Sequence, residues 1–243
     1  MSVQIEAIVL KNFDYQDHHK IVKMISPSHG LISVFVSYAN KKQSRYRMIA
    51  EPMTKVMITV KSPTNDPNGL YYLVHGDVME SFYELKIDYE LVMMFYEMAQ
   101  IVLQGDLEMG VVPYAYRTLA SVMEAAMATP DVFRLGVVGF KAKLMEPVGI
   151  VPAIDGCVEC ETTSKIVTAS VSAGGLICEN CYADDGIWLA AELIPLWRGI
   201  YKYPLDRVLN LQVSEGELEA LEQWMISYYE GYSNIKFTKR LGI

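Results

Sequence analysis

The sequence predicts an α+β chain in three parts: a small all-β module, a helical body, and a four-cysteine metal knot set into the helices. Three observations carry that prediction. Short runs of alternating apolar and polar residues fill the first eighty positions with no helical run between them. From Leu85 onward, apolar residues recur every three to four positions, as one buried helix face requires. The four cysteines fall into two C-x2-C pairs, Cys157-Val-Glu-Cys160 and Cys178-Glu-Asn-Cys181.

The strands come first. Residues 3–11 begin with alternation, and residues 20–26 and 31–37 flank Pro27-Ser-His-Gly30, which reads as a hairpin loop ending on glycine. Residues 54–61 set Val56, Ile58 and Val60 against Lys55, Thr59 and Lys61. Residues 63–69 make a turn into a fifth strand at 70–75. Five short strands without an intervening helix predict a small barrel of OB type.

The helices follow. Leu91, Phe95, Met98 and Val102 form one stripe that ends at Gly105. Pro113 opens a second helix running to about Ala128. Thr129-Pro130-Asp131 reads as an N-cap with proline at the first helical position, ahead of a stripe of Phe133, Val137, Phe140 and Leu144. Asp185 is expected to cap a segment through Trp197 that Pro195 kinks or breaks. Ser214-Glu-Gly-Glu217 matches a capping box, opening a helix that buries Leu218, Leu221, Met225, Tyr228 and Tyr229. The expected domains are a barrel at 1–80, a helical domain at 81–152 and 186–243, and a zinc ribbon inserted at 153–185.

Two C-x2-C turns brought side by side supply four thiolates to one tetrahedral ion. Residues 165–171 read as a β-branched strand and Ser172-Ala-Gly-Gly175 as the turn into the second pair, which is the zinc-ribbon arrangement. Disulfides suit secreted chains, and Met1-Ser-Val-Gln-Ile-Glu lacks the layout of a secretory signal. Zinc is expected over iron, which the same thiolates can also hold. Four thiolates leave no open position for water, so the ion is expected to be a staple. None of His18, His19, His29 or His75 sits in the H-x-E pattern of a zinc deaminase.

Hydrophobic content of 51% with 21% charged residues describes an ordered globular chain, and no apolar run reaches the ~18 residues that cross a bilayer. No membrane partner is expected, and the cytoplasm is the expected compartment. Net charge is −8, which alone argues against nucleic acid. The charge is unevenly placed, however. Residues 1–61 hold nine Lys/Arg against four Asp/Glu, whereas residues 62–243 hold twelve against twenty-five.

Part of that excess lies between the third and fourth strands. Lys41, Lys42, Arg45 and Arg47 fall within seven residues, interleaved with Tyr38 and Tyr46. Cations meet phosphates and rings stack on bases, so this mixture suits a single strand of nucleic acid. Lys55 and Lys61 share a strand face and extend the candidate surface, with Phe35 also available for stacking. Lys141 and Lys143, on a locally basic helix, are a candidate dock for an acidic peptide. There is no G-x-x-x-x-G-K-[ST] phosphate loop and no Ser/His/Asp grouping, so no catalytic residue is assigned.

The early strands carry Ile8-Val-Leu-Lys11, Asp14-Tyr15, Lys20-Ile-Val22 and His29-Gly30. Further on, Gly149-x-x-Pro152 leads into Cys157-x-x-Cys160, and Gly174-Gly175-Leu176 leads into Cys178-x-x-Cys181. In these motifs, and along essentially its whole length, the chain resembles the bacterial recombination mediator protein O (RecO) family. Where that family usually has glycine before its basic run, this chain has Tyr38. The resemblance implies a non-enzymatic DNA-repair role. It implies binding of single- and double-stranded DNA, annealing of complementary strands, and help in loading a recombinase onto strands coated by single-strand-binding protein. The implied partners are mediator protein R and the acidic tail of single-strand-binding protein. A protein-interaction scaffold without DNA binding is the competing expectation, and a zinc-dependent or redox enzyme a third.

Overall fold

The computed structural model describes residues 2–62, 69–182 and 187–237. The first five strands are β1 (Ser2–Tyr15), β2 (His19–Ser26), β3 (Gly30–Val36), β4 (Thr54–Lys61) and β5 (Leu70–Glu80). They form a closed barrel in the order β1-β2-β3-β5-β4, with β1 returning to pair with β4. β3 and β5 run parallel and every other neighbouring pair is antiparallel. This is the OB-type barrel that the alternation predicts.

Alternation explains the barrel's interior. Ile5, Ala7 and Val9 of β1 meet Val22, Met24, Val34, Val36, Val56, Ile58 and Val60 in one buried cluster. Each large side chain placed there gains about 1.5–3 kcal/mol over leaving it in water. At Leu10 the β1–β2 register slips by one residue, so Val9 and Leu10 are both buried and Lys11, Phe13 and Tyr15 turn outward. β5 runs five residues past the expected end. It pairs with β3 only at Leu70–Tyr72, and its far half is mostly exposed against β4 alone, so it carries no alternation to read.

By contacts the described chain divides into two compact units. One holds the residues up to Leu103 together with Leu107–Pro130; the other holds Gln104–Asp106 and the residues from Asp131 on. The first therefore contains, besides the barrel, α1 (Tyr83–Lys86), nearly all of α2 (Tyr89–Gln104), and α3 (Val112–Ala128). α3 lies against β2 and β3. The Tyr116 hydroxyl donates to Glu6 at 2.6 Å, and burial together with that bond raises its pKa.

The second unit is built on α4 (Val132–Val148), which packs against α5 (Ile194–Lys202), α6 (Leu205–Val208) and α7 (Glu215–Tyr232). α4 starts two residues later than the Thr129 cap predicts, with Asp131 at the N-cap and Pro130 in the turn before it. Its other end is a Schellman closure. Gly149 sits at φ +82°, its N–H reaches the Glu146 carbonyl, and the Ile150 N–H reaches the Met145 carbonyl. α7 opens with the expected capping box of Ser214 and Glu217.

The segment expected to run helical from Asp185 through Trp197 is corrected. Asp185 lies outside the described residues, but a strand, β8 (Trp188–Ala190), and a 3₁₀ turn occupy most of the rest. β8 completes a three-stranded sheet with β6 (Ile166–Ser170) and β7 (Gly175–Cys178). Pro195 stands in the first turn of α5, where its missing N–H has no helical partner to lose.

In the barrel unit Lys86 donates to the Thr54 hydroxyl at 2.6 Å. Burial pulls its pKa from 10.5 down to about 8, with nearby Glu51 opposing. Between those two values this group binds its proton in the unfolded chain and not in the folded one, so its contribution to stability rises with pH across that window. The expected gain is on the order of 1 kcal/mol once solvent screening of the half-exposed ammonium is allowed for. Tyrosines of raised pKa, such as Tyr96, Tyr116 and Tyr228, lower stability near pH 10 in parent and variant alike, so the check is a difference. The melting temperature of the parent relative to Lys86→Met should rise from pH 8 to 10.5.

Candidate metal centre and nucleic-acid interface

The ribbon brings its four thiols together. β6 and β7 pair as a hairpin, and each C-x2-C pair closes a tight turn. The Cys157 N–H reaches the Thr162 carbonyl at 2.9 Å, and the Cys181 N–H reaches the Cys178 carbonyl at 3.1 Å. A Cβ at Gly175 would lie 2.5 Å from the Ala153 carbonyl oxygen, so only glycine lets the hairpin approach the incoming chain.

All four Sγ atoms lie within 4.8 Å of one another, and Cys160 and Cys178 stand 3.6 Å apart. Thiolates at about 2.3 Å from one tetrahedral ion would be about 3.8 Å apart, so the cluster fits a metal ion. Burial pushes the Cys157 thiol up, yet backbone donors at Cys178, Glu159 and Cys160 outweigh it and hold the group at about 6. Cys160 and Cys178 press Cys181 up to about 12.

α7 holds the ribbon from behind. The buried Trp224 indole donates to the Ala169 carbonyl at 2.7 Å, and the Tyr228 and Tyr232 hydroxyls donate to Gly174 and Ser172. Trp224, Tyr228 and Tyr232 stack in sequence, with Trp197 edge-on to Trp224. The ribbon is thus a worked-in part of its unit's core.

The basic loop lies in the other unit. It leaves β3 through Tyr38, whose φ of +57° is in the left-handed region that glycine adopts without cost. The Tyr38 N–H donates to His19 Nδ1, the Asn40 N–H to the His18 carbonyl, and the Asn40 amide to Asp14. These bonds pin the loop to the β1–β2 end of the barrel. Beyond the pin, Lys41, Lys42, Arg45 and Arg47 are all exposed. The Lys41 ammonium lies 4.4 Å from the Tyr38 ring centre and the Arg45 guanidinium 4.5 Å from that of Tyr46. The Tyr46 hydroxyl is anchored on the Val74 carbonyl.

Comparison with known proteins adds a family. Recombination protein O N terminal matches residues 1–82, and Recombination protein O C terminal matches residues 106–241. The chain belongs to the RecO family. The DNA repair protein RecO of Bacillus pumilus is 28% identical over 241 residues, covering 97% of this chain and 91% of that protein. Those of Bacillus subtilis and Listeria monocytogenes are 28% identical over 239 residues and 26% identical over 237, with the same coverage. The chain is thus a DNA repair protein of this family. Among the described residues no helix is long and apolar enough to cross a membrane.

The other residues singled out in the sequence take different places. Lys61 is exposed at the end of β4, with no carboxylate partner among the described residues. Lys55 faces outward on the same strand, but it sits between Glu6 at 3.7 Å and Glu124 at 3.2 Å and is neutralised by both. The basic helix face expected at Lys141 and Lys143 is corrected. Lys141 is fully buried, with its ammonium 5.5 Å from the Phe237 ring centre. Lys143 is half-buried and donates to the Tyr201 carbonyl at 2.6 Å, and burial lowers its pKa. Neither stands on a solvated face.

Sequence reading also missed rings. Tyr15, His19 and Tyr72 gather around Phe35 on the outer barrel wall. The parity of the strands held the signal, since Phe35 and Tyr72 fall on the face opposite the buried Val34 and the half-buried Tyr71.

For the metal centre, the purified chain should carry about one metal ion. Cys178→Ser should lose most of it and destabilise the protein by on the order of 3 kcal/mol or more, because binding energy of the ion is folding energy. Metal analysis beside chemical denaturation checks both; a metal-free chain of unchanged stability would remove the staple.

Proposed function

We propose that the chain is a recombination mediator. In this reading it binds single- and double-stranded DNA, anneals complementary single strands, and assists recombinase loading on strands coated by single-strand-binding protein. One observation carries the proposal. In a chain of a DNA repair family, four cations stand exposed together on one loop pinned to a barrel, and two of them lie over tyrosine rings.

Annealing has an electrostatic barrier, because two strands of like charge must approach. Lys41, Lys42, Arg45 and Arg47 lower it by neutralising phosphates without reading sequence. Lys61 extends the same field along the barrel, while Lys55 holds the carboxylates of Glu6 and Glu124 and is not free to add to it. Tyr38 and Tyr46 offer ring faces within the loop. The work is done by positioning and screening, so no catalytic residue is required. Zinc is the proposed ion, since a redox-inert metal with four thiolates fixes both knuckles and leaves no site for chemistry. Mediator protein R and the acidic tail of single-strand-binding protein are the proposed protein partners.

A scaffold that binds only proteins is the second reading, favoured by the twelve Lys/Arg against twenty-five Asp/Glu of residues 62–243. Filter binding of a single-stranded oligonucleotide over a range of salt separates the two. Four phosphate contacts predict that log K falls with log salt at a slope of about −3. Reversing Lys41, Lys42, Arg45 and Arg47 to Glu should abolish binding and annealing while the circular-dichroism spectrum stays unchanged. Annealing that survives the reversal would remove the loop from the mechanism.

A further inference from the structure

The outer wall of the barrel carries a row of side chains that the basic loop does not account for. Cross-strand register sets Phe13 beside Ile21, Ile21 beside Phe35, Phe35 beside Tyr72, and Tyr72 beside Lys61. One level of the sheet is thus apolar or aromatic across four strands and ends on a lysine. Solvated faces of antiparallel strands normally alternate to polar residues. Here Phe13 is 45% exposed and Tyr72 51%.

A second tier adjoins it. Tyr15 is 44% exposed and stands edge-on to Phe35 with ring centres 5.9 Å apart. His19 stacks on Phe35 at 5.1 Å and leans on Tyr38 at 5.0 Å, while Tyr72 meets Phe35 at 5.6 Å. The rings therefore run unbroken from Tyr72 through Phe35 and His19 to Tyr38, where the basic loop begins.

Cations border this surface. Lys11 lies 5.0 Å from the Phe13 ring centre, Lys41 covers Tyr38, and Lys61 is the register partner of Tyr72. Of the acids close by, Asp14 is held by Lys20 at 3.1 Å and by Asn40 at 2.9 Å, and Asp17 lies in the β1–β2 turn. A neighbouring protein's apolar patch would gain nothing from that cationic border. Bases, which have apolar faces and charged backbones, would use both.

We propose that this row is a base-stacking platform for single-stranded DNA, with Tyr15 and Tyr72 as its exposed rings, Phe35 as the half-buried support between them, and Lys11, Lys41 and Lys61 on the phosphates. The proposal rests on the strand-binding reading above and adds a specific consequence. A duplex hides its base faces, so rings contribute only to single strands, whereas the loop's charges serve both. Preference for single strands then comes from the wall, and general affinity from the loop.

The test uses the full chain with Tyr15→Ala and Tyr72→Ala combined, both at exposed positions. Fluorescence anisotropy compares an oligo-dT, an abasic oligonucleotide of equal length and charge, and a duplex. Loss of stacking should weaken oligo-dT binding about five- to a hundredfold, with abasic and duplex binding unchanged. The Tyr15→Phe and Tyr72→Phe pair, which keeps the rings, should bind oligo-dT as the parent does. An unchanged oligo-dT affinity in the alanine variant, or an equal loss on all three ligands, overturns the platform and leaves the loop's role standing. If the unmodified chain binds none of them, the strand-binding reading fails and the platform with it.

Discussion

The pairing of β1 with both β2 and β4 governs what this barrel can present, and one irregularity in that pairing matters most. β1 keeps its register with β4 through Val9, then slips by one residue against β2 at Leu10. Without the slip, strict alternation from Ile5, Ala7 and Val9 would carry Lys11, Phe13 and Tyr15 inward, forcing an ammonium into an apolar core. The extra residue, Leu10, is itself buried, and the next three odd positions turn to solvent. A local break in the ladder thereby lets a single long strand serve the core with one half and the outer wall with the other.

Tyr38 belongs to the same economy. A non-glycine residue in the left-handed region costs on the order of 1 kcal/mol or more. Here its backbone N–H is bonded to His19 and its ring lies between His19 and Lys41. The left-handed turn directs the chain out of β3, and the side chain a glycine would lack continues the aromatic surface into the loop. The sequence resemblance that expects glycine there is thus explained by conformation, and the departure from it by contacts.

Much of this was legible beforehand, for identifiable reasons. Thiolate spacing has few interpretations, so the four cysteines could be grouped before any coordinates. The capping box at Ser214 and the strands at 20–26 and 54–61 were legible because their signals are local. Features set by tertiary pairing were not. β8 reads as helix because three residues have no period, and only the edge of β6 makes them a strand. Lys141 reads as surface because its charge says so, while its position on α4 places it under α7, with the Tyr229 hydroxyl on its carbonyl. Lys55 reads as free until Glu124, distant in sequence, arrives on α3. The outward rings needed only strand parity and register, but register depends on the slip at Leu10, which no alternation pattern announces.

Charge and ring surfaces act over different ranges, and that difference orders their work. An exposed cation is felt across about a Debye length, roughly 10 Å at 0.1 M salt, and so acts before contact. A ring gains nothing until a base lies on it, because dispersion and stacking vanish within a few ångströms. On the proposed strand-binding reading, a loop of four exposed cations pinned beside a wall of rings would separate capture from retention. Salt weakens the first and leaves the second. In that reading a loop that screens phosphates without engaging base edges would leave a captured strand its pairing faces, and stacking on the wall would hold it by the one surface that pairing does not use.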